Sequence, residues 1–239
     1  DGGARLIVLP ENFALMGMHD ADKVARAEAD GRGPVQDWLA AQAQRHGVWL
    51  VGGSVHLRSA SPGRVYNALL VYDDHGMRCA RYDKIHLFGL RRTDERFDES
   101  ATITPGNTVQ VLEAPFGRIG LSICYDIRFP ELYRAMGEVD LILAPSAFTY
   151  RTGQAHWHTL LAARAVENQC YVLAPAQGGH HPNGRRTWGH TVIIDPWGET
   201  LAERADGEGV VSAALDPDRI AQVRAMLPAL AHRTLGRRA

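Results

Sequence analysis

The chain is punctuated by short runs that are apolar almost throughout: "RLIVLPEN" (Arg5 to Asn12), "VWLVGGSVHL" (Val48 to Leu57), "VDLILAPSAF" (Val139 to Phe148) and "CYVLAPAQ" (Cys170 to Gln177). A strand with one face in water alternates polar and apolar residues. Strands without that alternation must be covered on both faces. The intervening segments supply the cover. Val35, Leu39 and Ala43 recur at helical spacing in a helix starting near Pro34, with proline in its first turn, and further helices are predicted over Pro130 to Met136, Ala155 to Asn168 and Asp216 to Met226. Leu160, Leu161 and Ala165 form the inward face of the third. Two apolar pairs read as hairpins: "VYNALLVYDDHGMRCARYDK" turns at Asp-Asp-His-Gly, and "VQVLEAPFGRIGLSIC" at Ala-Pro-Phe-Gly. "GVVSAALD" (Gly209 to Asp216) is predicted as a last strand. Helices alternating with strands, some of them in hairpins, specify a layered α/β fold with mixed sheets. With 239 residues, 45% of them hydrophobic, and no internal repeat or Gly/Ser/Pro-rich linker, a single domain over 1–239 is expected.

Several function classes are disfavoured by composition. A net charge of -1 gives no basic footprint for nucleic acid or an anionic membrane, and no apolar run approaches the roughly 20 residues of a membrane span. Three cysteines (Cys79, Cys124, Cys170) without a C-x-x-C argue against a disulfide scaffold or a cysteine zinc site. They fit a reducing setting, and with no leader-like run before the first strand a cytoplasmic location is expected. The His180–His181 pair has no third ligand at recognisable spacing, so neither a metal nor another cofactor is expected.

Three apolar strands end on chemically active side chains. Glu11 follows "LIVLP", Lys84 follows "ARYD" and Cys124 follows "IGLSI". Taken singly, Glu11 reads as a turn or cap residue, Lys84 as a surface lysine with a buried stem, and Cys124 as a small buried hydrophobe. In an α/β fold, however, strand ends converge on one crevice. A thiol at such a turn, beside free amide N–H groups and a cation, is expected to have a lowered pKa and to act as a nucleophile. Its base is either a histidine (His86, His156 and His190 are available) or a carboxylate such as Glu11. Phe148, Thr149 and Tyr150 follow a strand ending nearby and are expected to line the pocket. Arg128 is expected to brace the thiol turn by pairing with a carboxylate. Phe88 to Gly106 reads as a long functional loop. Gly178 to His190, "GGHHPNGRRTWGH", reads as a second loop that is either a solvated basic turn or a pocket rim.

The motifs "LPE" around Glu11, "YDKIHL" around Lys84 and "CYDIRFPE" around Cys124 together resemble the nitrilase, or carbon–nitrogen hydrolase, superfamily, over nearly the whole chain. "FDESATITPG", "PSAFTYRTGQAHWHTLLAARAVENQCYV" and "GHTVIIDPWGE" extend the match, and within the superfamily the Nit branch, amidases of deaminated glutathione, is the best fit. The resemblance implies a four-layer α-β-β-α sandwich with two mixed sheets, and a homodimer or larger homo-oligomer. The oligomer would use Pro130 to Met136 and Ile220 to Leu235. It also implies a strand and helix preceding the "LPE" strand, which this sequence does not include. Glu11, Lys84 and Cys124 would form a triad and Glu99 would be a second glutamate, all serving metal-free amide hydrolysis through a cysteine thioester. Lys84 and the Tyr125 N–H would hold the oxyanion. A crowded Glu–Glu–Lys site is expected to lift a glutamate pKa. The implied substrate is a small carboxylate-bearing amide, first deaminated glutathione, whose remote carboxylate Arg185 or Arg186 would grip. The alternatives are an omega-amidase acting on alpha-ketoglutaramate and a catalytically silent scaffold.

Overall fold

A computed structural model describes residues 2–91, 93 and 96–235. In chain order the elements are β1 (Leu6–Val8), α1 (Asp20–Ala25), α2 (Pro34–His46), β2 (Trp49–Val51), β3 (Val55–Arg58), β4 (Val65–Tyr72) and β5 (Arg78–Asp83). They continue as β6 (Gly89–Arg91), β7 (Arg96–Asp98), β8 (Val111–Ala114), β9 (Gly117–Leu121), α3 (Pro130–Ala135) and β10 (Leu141–Leu143). The chain closes with α4 (Tyr150–Asn168), β11 (Tyr171–Ala174), β12 (Gly178–His180), β13 (Arg186–Trp188), β14 (Thr191–Ile194), β15 (Thr200–Arg204) and α5 (Pro217–Met226).

Strand β4 shows why these strands lack polar alternation. Its even positions, Ala68, Leu70 and Tyr72, pack with Leu39 and Ala43 of α2. Its odd positions, Leu69 and Val71, face a second core shared with Ile119, Leu121, Ile142 and Val172. One face therefore meets a helix and the other a second sheet. The first sheet carries β1 parallel to β2, with β2 and β3 antiparallel to β4, and β5 antiparallel to β4. The second runs β15-β14-β11-β10-β9-β8. In it, β9, β10 and β11 are parallel and the others antiparallel. Helices α3 and α4 pack together, and α4 lies against β11 and β14, with Trp157, Leu161 and Ala165 buried. The result is the expected helix–sheet–sheet–helix sandwich with two mixed sheets.

Both predicted hairpins form, as β4–β5 and β8–β9. Helix α2 starts at Pro34 and stops at Gly47, whose φ of 59° suits glycine. Four departures have local causes. Helix α4 begins at Tyr150, five residues before the predicted Ala155, because Gly153 lets Trp188 pack against the first turns: a Cβ there would sit 2.3 Å from the Trp188 Cβ. Helix α1 was not legible as a helix; the Asp22 carboxylate anchors its start by accepting from the N–H groups of Met18 (2.8 Å) and His19 (2.9 Å). The segment 209–216 is not a strand, and Val210 is 90% exposed; β15 takes the edge of the second sheet instead. Both expected loops contain hairpins, β6–β7 and β12–β13, with residues 92, 94 and 95 of the first outside the described residues. Among the described residues no helix is long and apolar enough to cross a membrane.

Candidate active site

The three strand ends converge across the two facing sheets. Glu11 lies just past β1, Lys84 directly after β5, and Cys124 just past β9. The Lys84 Nζ donates to Glu11 Oε1 (2.9 Å) and to both Glu99 oxygens (2.9 and 3.0 Å). Glu11 also accepts from Asn67 Nδ2 at 2.9 Å on Oε1 and from the Ala147 N–H at 2.8 Å on Oε2. Glu99 is fixed by the Phe88 N–H at 2.8 Å. Cys124 lines the same cleft as Glu11, and the Glu11, Lys84 and Glu99 charges all act on its thiol. Glu11, Lys84 and Cys124 are all buried. The structure thus brings together the three strand-end groups and Glu99, and none of the candidate histidines is the thiol's hydrogen-bond partner.

The electrostatics reverse two expectations. Burial pushes the Cys124 thiol well above its ordinary pKa, and the Glu11 charge adds to this, outweighing Lys84. The thiol is therefore held protonated, not as a thiolate. Burial alone would raise the Glu11 carboxyl. The Lys84 ammonium and the bonds from Cys124, Lys84 and Asn67 overcome it and hold Glu11 below its ordinary value, not lifted toward neutral. Burial disfavours the Lys84 charge, but Glu11 and Glu99 hold its pKa well above the ordinary lysine value. At neutral pH a carboxylate, an ammonium and a neutral thiol share one dry site.

Backbone geometry aims these groups. Cys124 has φ 50° and Asn12, next to Glu11, has φ 57°, a region that non-glycine residues rarely adopt. The thiol turn is braced by Asp126, which is fully buried. Its carboxylate accepts from the Ile123 N–H (2.9 Å), the Tyr82 hydroxyl (2.8 Å) and the His86 N–H (3.0 Å), with His86 Nδ1 at 2.7 Å. Arg128 does not play the bracing part expected of it. It lies over the Tyr125 and Phe148 rings, and its Nη1 is 3.3 Å from His156 Nδ1. The first of the two acidic residues in "CYDIRFPE", two positions after the thiol, was the available signal for this role. Among the described residues the Tyr125 N–H has no acceptor, leaving it free to donate beside the thiol.

A cleft opens over these groups. Phe148, Thr149, Arg185 and Arg186 line it, as does Lys23, which sequence reading missed. Tyr150, expected to line the pocket, is not on the cleft wall; it opens α4, and the Arg186 guanidinium lies 3.5 Å from its ring centroid. The basic segment is thus a cleft rim and not only a solvated turn. Of the paired histidines, His181 Nε2 lies 2.6 Å from Thr187 Oγ1. Among the described residues, one group has metal-ligand character: His158, His190 and Glu203, with ligand atoms within 4.8 Å of one another and none of the three on the cleft wall.

Comparison with known proteins agrees with this geometry. The carbon-nitrogen hydrolase family matches residues 1–225. A deaminated glutathione amidase from Synechocystis is 43% identical, the alignment covering 97% of this chain and 86% of that protein. The crystal structure of a CN-hydrolase superfamily protein from Xanthomonas campestris, with an arsenic adduct in its active site, superposes with a TM-score of 0.86 at 31% identity, covering 100% of this chain and 88% of that one. An amidase variant from Nesterenkonia sp. AN1, with acrylamide added to its active-site cysteine, gives a TM-score of 0.76 at 28% identity over 95% of this chain and 85% of that one. A family match over most of the chain and a relative this similar lead to one conclusion: the chain belongs to the carbon-nitrogen hydrolase family.

Proposed function

We propose that the protein is a thiol amidase whose substrate is deaminated glutathione, in which an amide joins a keto acid to cysteinylglycine. Glu11 takes the proton of Cys124 as the sulfur attacks the amide carbonyl. Lys84 Nζ and the Tyr125 N–H stabilise the tetrahedral oxyanion, and Glu99 holds Lys84 in place. Collapse breaks the C–N bond, and Glu11 returns its proton to the departing amine, leaving a thioester on Cys124. Glu11 then deprotonates a water that attacks the thioester. The acid leaves and the thiol is restored. Each step uses groups of the chain itself. The observation that carries this reading is the Glu11 carboxylate, bonded by the Lys84 ammonium at 2.9 Å, lining one buried cleft with the Cys124 thiol, which burial and the Glu11 charge keep protonated.

Phe148 and Thr149 form the wall beside the scissile amide, and Arg185 and Arg186 supply cations for the far carboxylate. The deaminated glutathione amidase of Synechocystis, alike over nearly all of this chain, supports the choice of substrate. The same reading takes residues 1–239 as one carbon-nitrogen hydrolase domain, working as a homo-oligomer in the cytoplasm, where free Cys79, Cys124 and Cys170 suit a reducing milieu. The test is product analysis with deaminated glutathione and alpha-ketoglutaramate. Cysteinylglycine release with the higher kcat/KM, abolished in Cys124→Ala, is expected. A preference for alpha-ketoglutaramate would make the enzyme an omega-amidase, and no turnover of either a silent scaffold.

A further inference from the structure

Lys23 is 5% exposed, although it lies on the six-residue helix α1 at the cleft rim. Lysines are seldom buried to that degree unless firmly paired. Among the described residues its Nζ bonds only Asp20 Oδ1, at 3.3 Å, so an ammonium with three donors uses one. The same oxygen accepts from Arg185 Nη2 at 3.2 Å. Two cations thus share one carboxylate, and the group carries a formal charge of +1. Lys84 between Glu11 and Glu99 is the opposite case, one cation with two carboxylates and a formal charge of -1. Lys23, Asp20 and Arg185 line the same cleft as Glu11 and Glu99, so it is electrically polar. The cationic group is also held together mechanically: Asn183 Nδ2 donates to the Gly17 carbonyl at 2.7 Å, tying the β12–β13 hairpin to the segment before α1. Arg186 is engaged differently, over the Tyr150 ring.

We propose that Lys23, with Arg185 across the shared Asp20 carboxylate, is the subsite that takes the substrate's remote carboxylate and so selects long, acid-terminated amides. The inference rests on the amidase reading above and deepens it. A carboxylate at this end completes the unused donors of Lys23 by charge-assisted hydrogen bonds. Lys23 therefore holds the amine-side end of the substrate without touching the reacting atoms.

The test compares deaminated glutathione with its analogue in which the terminal glycine carboxylate is a carboxamide, and uses alpha-ketoglutaramate turnover as a report on folding. Lys23→Met is expected to raise KM for the acid roughly tenfold with kcat little changed, as expected for lost ground-state binding. The carboxamide analogue's KM should not move, and Lys23→Arg should restore most of the acid's affinity. An unchanged KM for the acid, or an equal rise for acid and carboxamide, overturns the subsite and leaves the amidase reading standing. Wild-type enzyme that turns over neither the tripeptide nor its analogue overturns the amidase reading and the subsite with it. If Lys23→Met does not fold, the binding of deaminated glutathione to Cys124→Ala, titrated against that of the carboxamide, decides the matter. Equal affinity for the two overturns the subsite, and tighter binding of the acid supports it.

Discussion

A thiol that stays protonated needs a base at the moment of attack, and this shapes the expected pH dependence. Glu11 is held below its ordinary carboxylate value, so it is ionised through the weakly acidic range and loses activity only as pH falls through that depressed pKa. Lys84 is held well above the ordinary lysine value, so its charge is lost only at high pH. The rate constant kcat/KM should therefore be flat from about pH 6 to 9, with no inflection near the free-thiol pKa of ~8.5. A rising limb centred there would mean that Cys124 ionises independently of Glu11. The same pair links stability to pH. The Glu11 contribution is present above its unfolded pKa and is lost as pH falls through the folded one; the Lys84 contribution is present below its unfolded pKa and is lost as pH rises through the folded one. Glu11→Gln keeps the shape but cannot take a proton, and should cost at least ~100-fold in kcat with the fold intact by circular dichroism.

At the scale of elements, the site depends on how closely β1 approaches the β2–β3 connection. Gly53 has φ 50°, and a Cβ there would lie 1.9 Å from the Pro10 carbonyl oxygen, a backbone atom that cannot swing away. Pro10 precedes Glu11, so the strain would be delivered to the base. Gly53→Ala should destabilise the protein by about 2 kcal/mol or more, which for a domain of this size lowers Tm by roughly 4–8 °C. It should also lower kcat beyond what the unfolded fraction explains. Wild-type Tm and kcat in that variant would show that the connection relaxes freely. Gly52, by contrast, faces Leu39 of α2, a side chain with rotamer freedom. Its role is packing on the outer helix.

At the scale of the molecule, exposed apolar side chains gather at one place. Val166 on α4 approaches Gly198 beside Trp197, and Leu227 after α5 accepts a bond from Gln169 just past α4. Val166, Trp197, Met226 and Leu227 are 44–62% exposed. Exposed apolar patches are a common feature of association sites, and we propose this one as the C-terminal part of the interface expected over Ile220 to Leu235. Light scattering at micromolar concentration should report a homodimer or larger. Met226→Lys with Leu227→Lys should shift the mass toward the monomer, and a monomeric wild type would refute the assembly.

How much of this was legible without coordinates follows from the range of the forces involved. Apolar runs, hairpin turns and proline-led helices are local signals, so β4–β5, β8–β9, α2 and α5 could be read from the sequence. So could the positions of Glu11, Lys84 and Cys124, because each lies at or just past the end of its own strand. Their protonation states could not be read. Lys84 and Glu11 are 73 residues apart and the Ala147 N–H is 136 from Glu11, and only their meeting in a dry site lowers Glu11 and raises Cys124. Edge strands were equally opaque, since pairing at a sheet edge depends on which backbone is within reach, and Thr200–Arg204 reached it where the more β-prone 209–216 did not. Lys23 looks in sequence like any surface lysine of a short helix. Burial against the cleft, with Asp20 shared by an arginine 165 residues away, is a property of the tertiary structure alone.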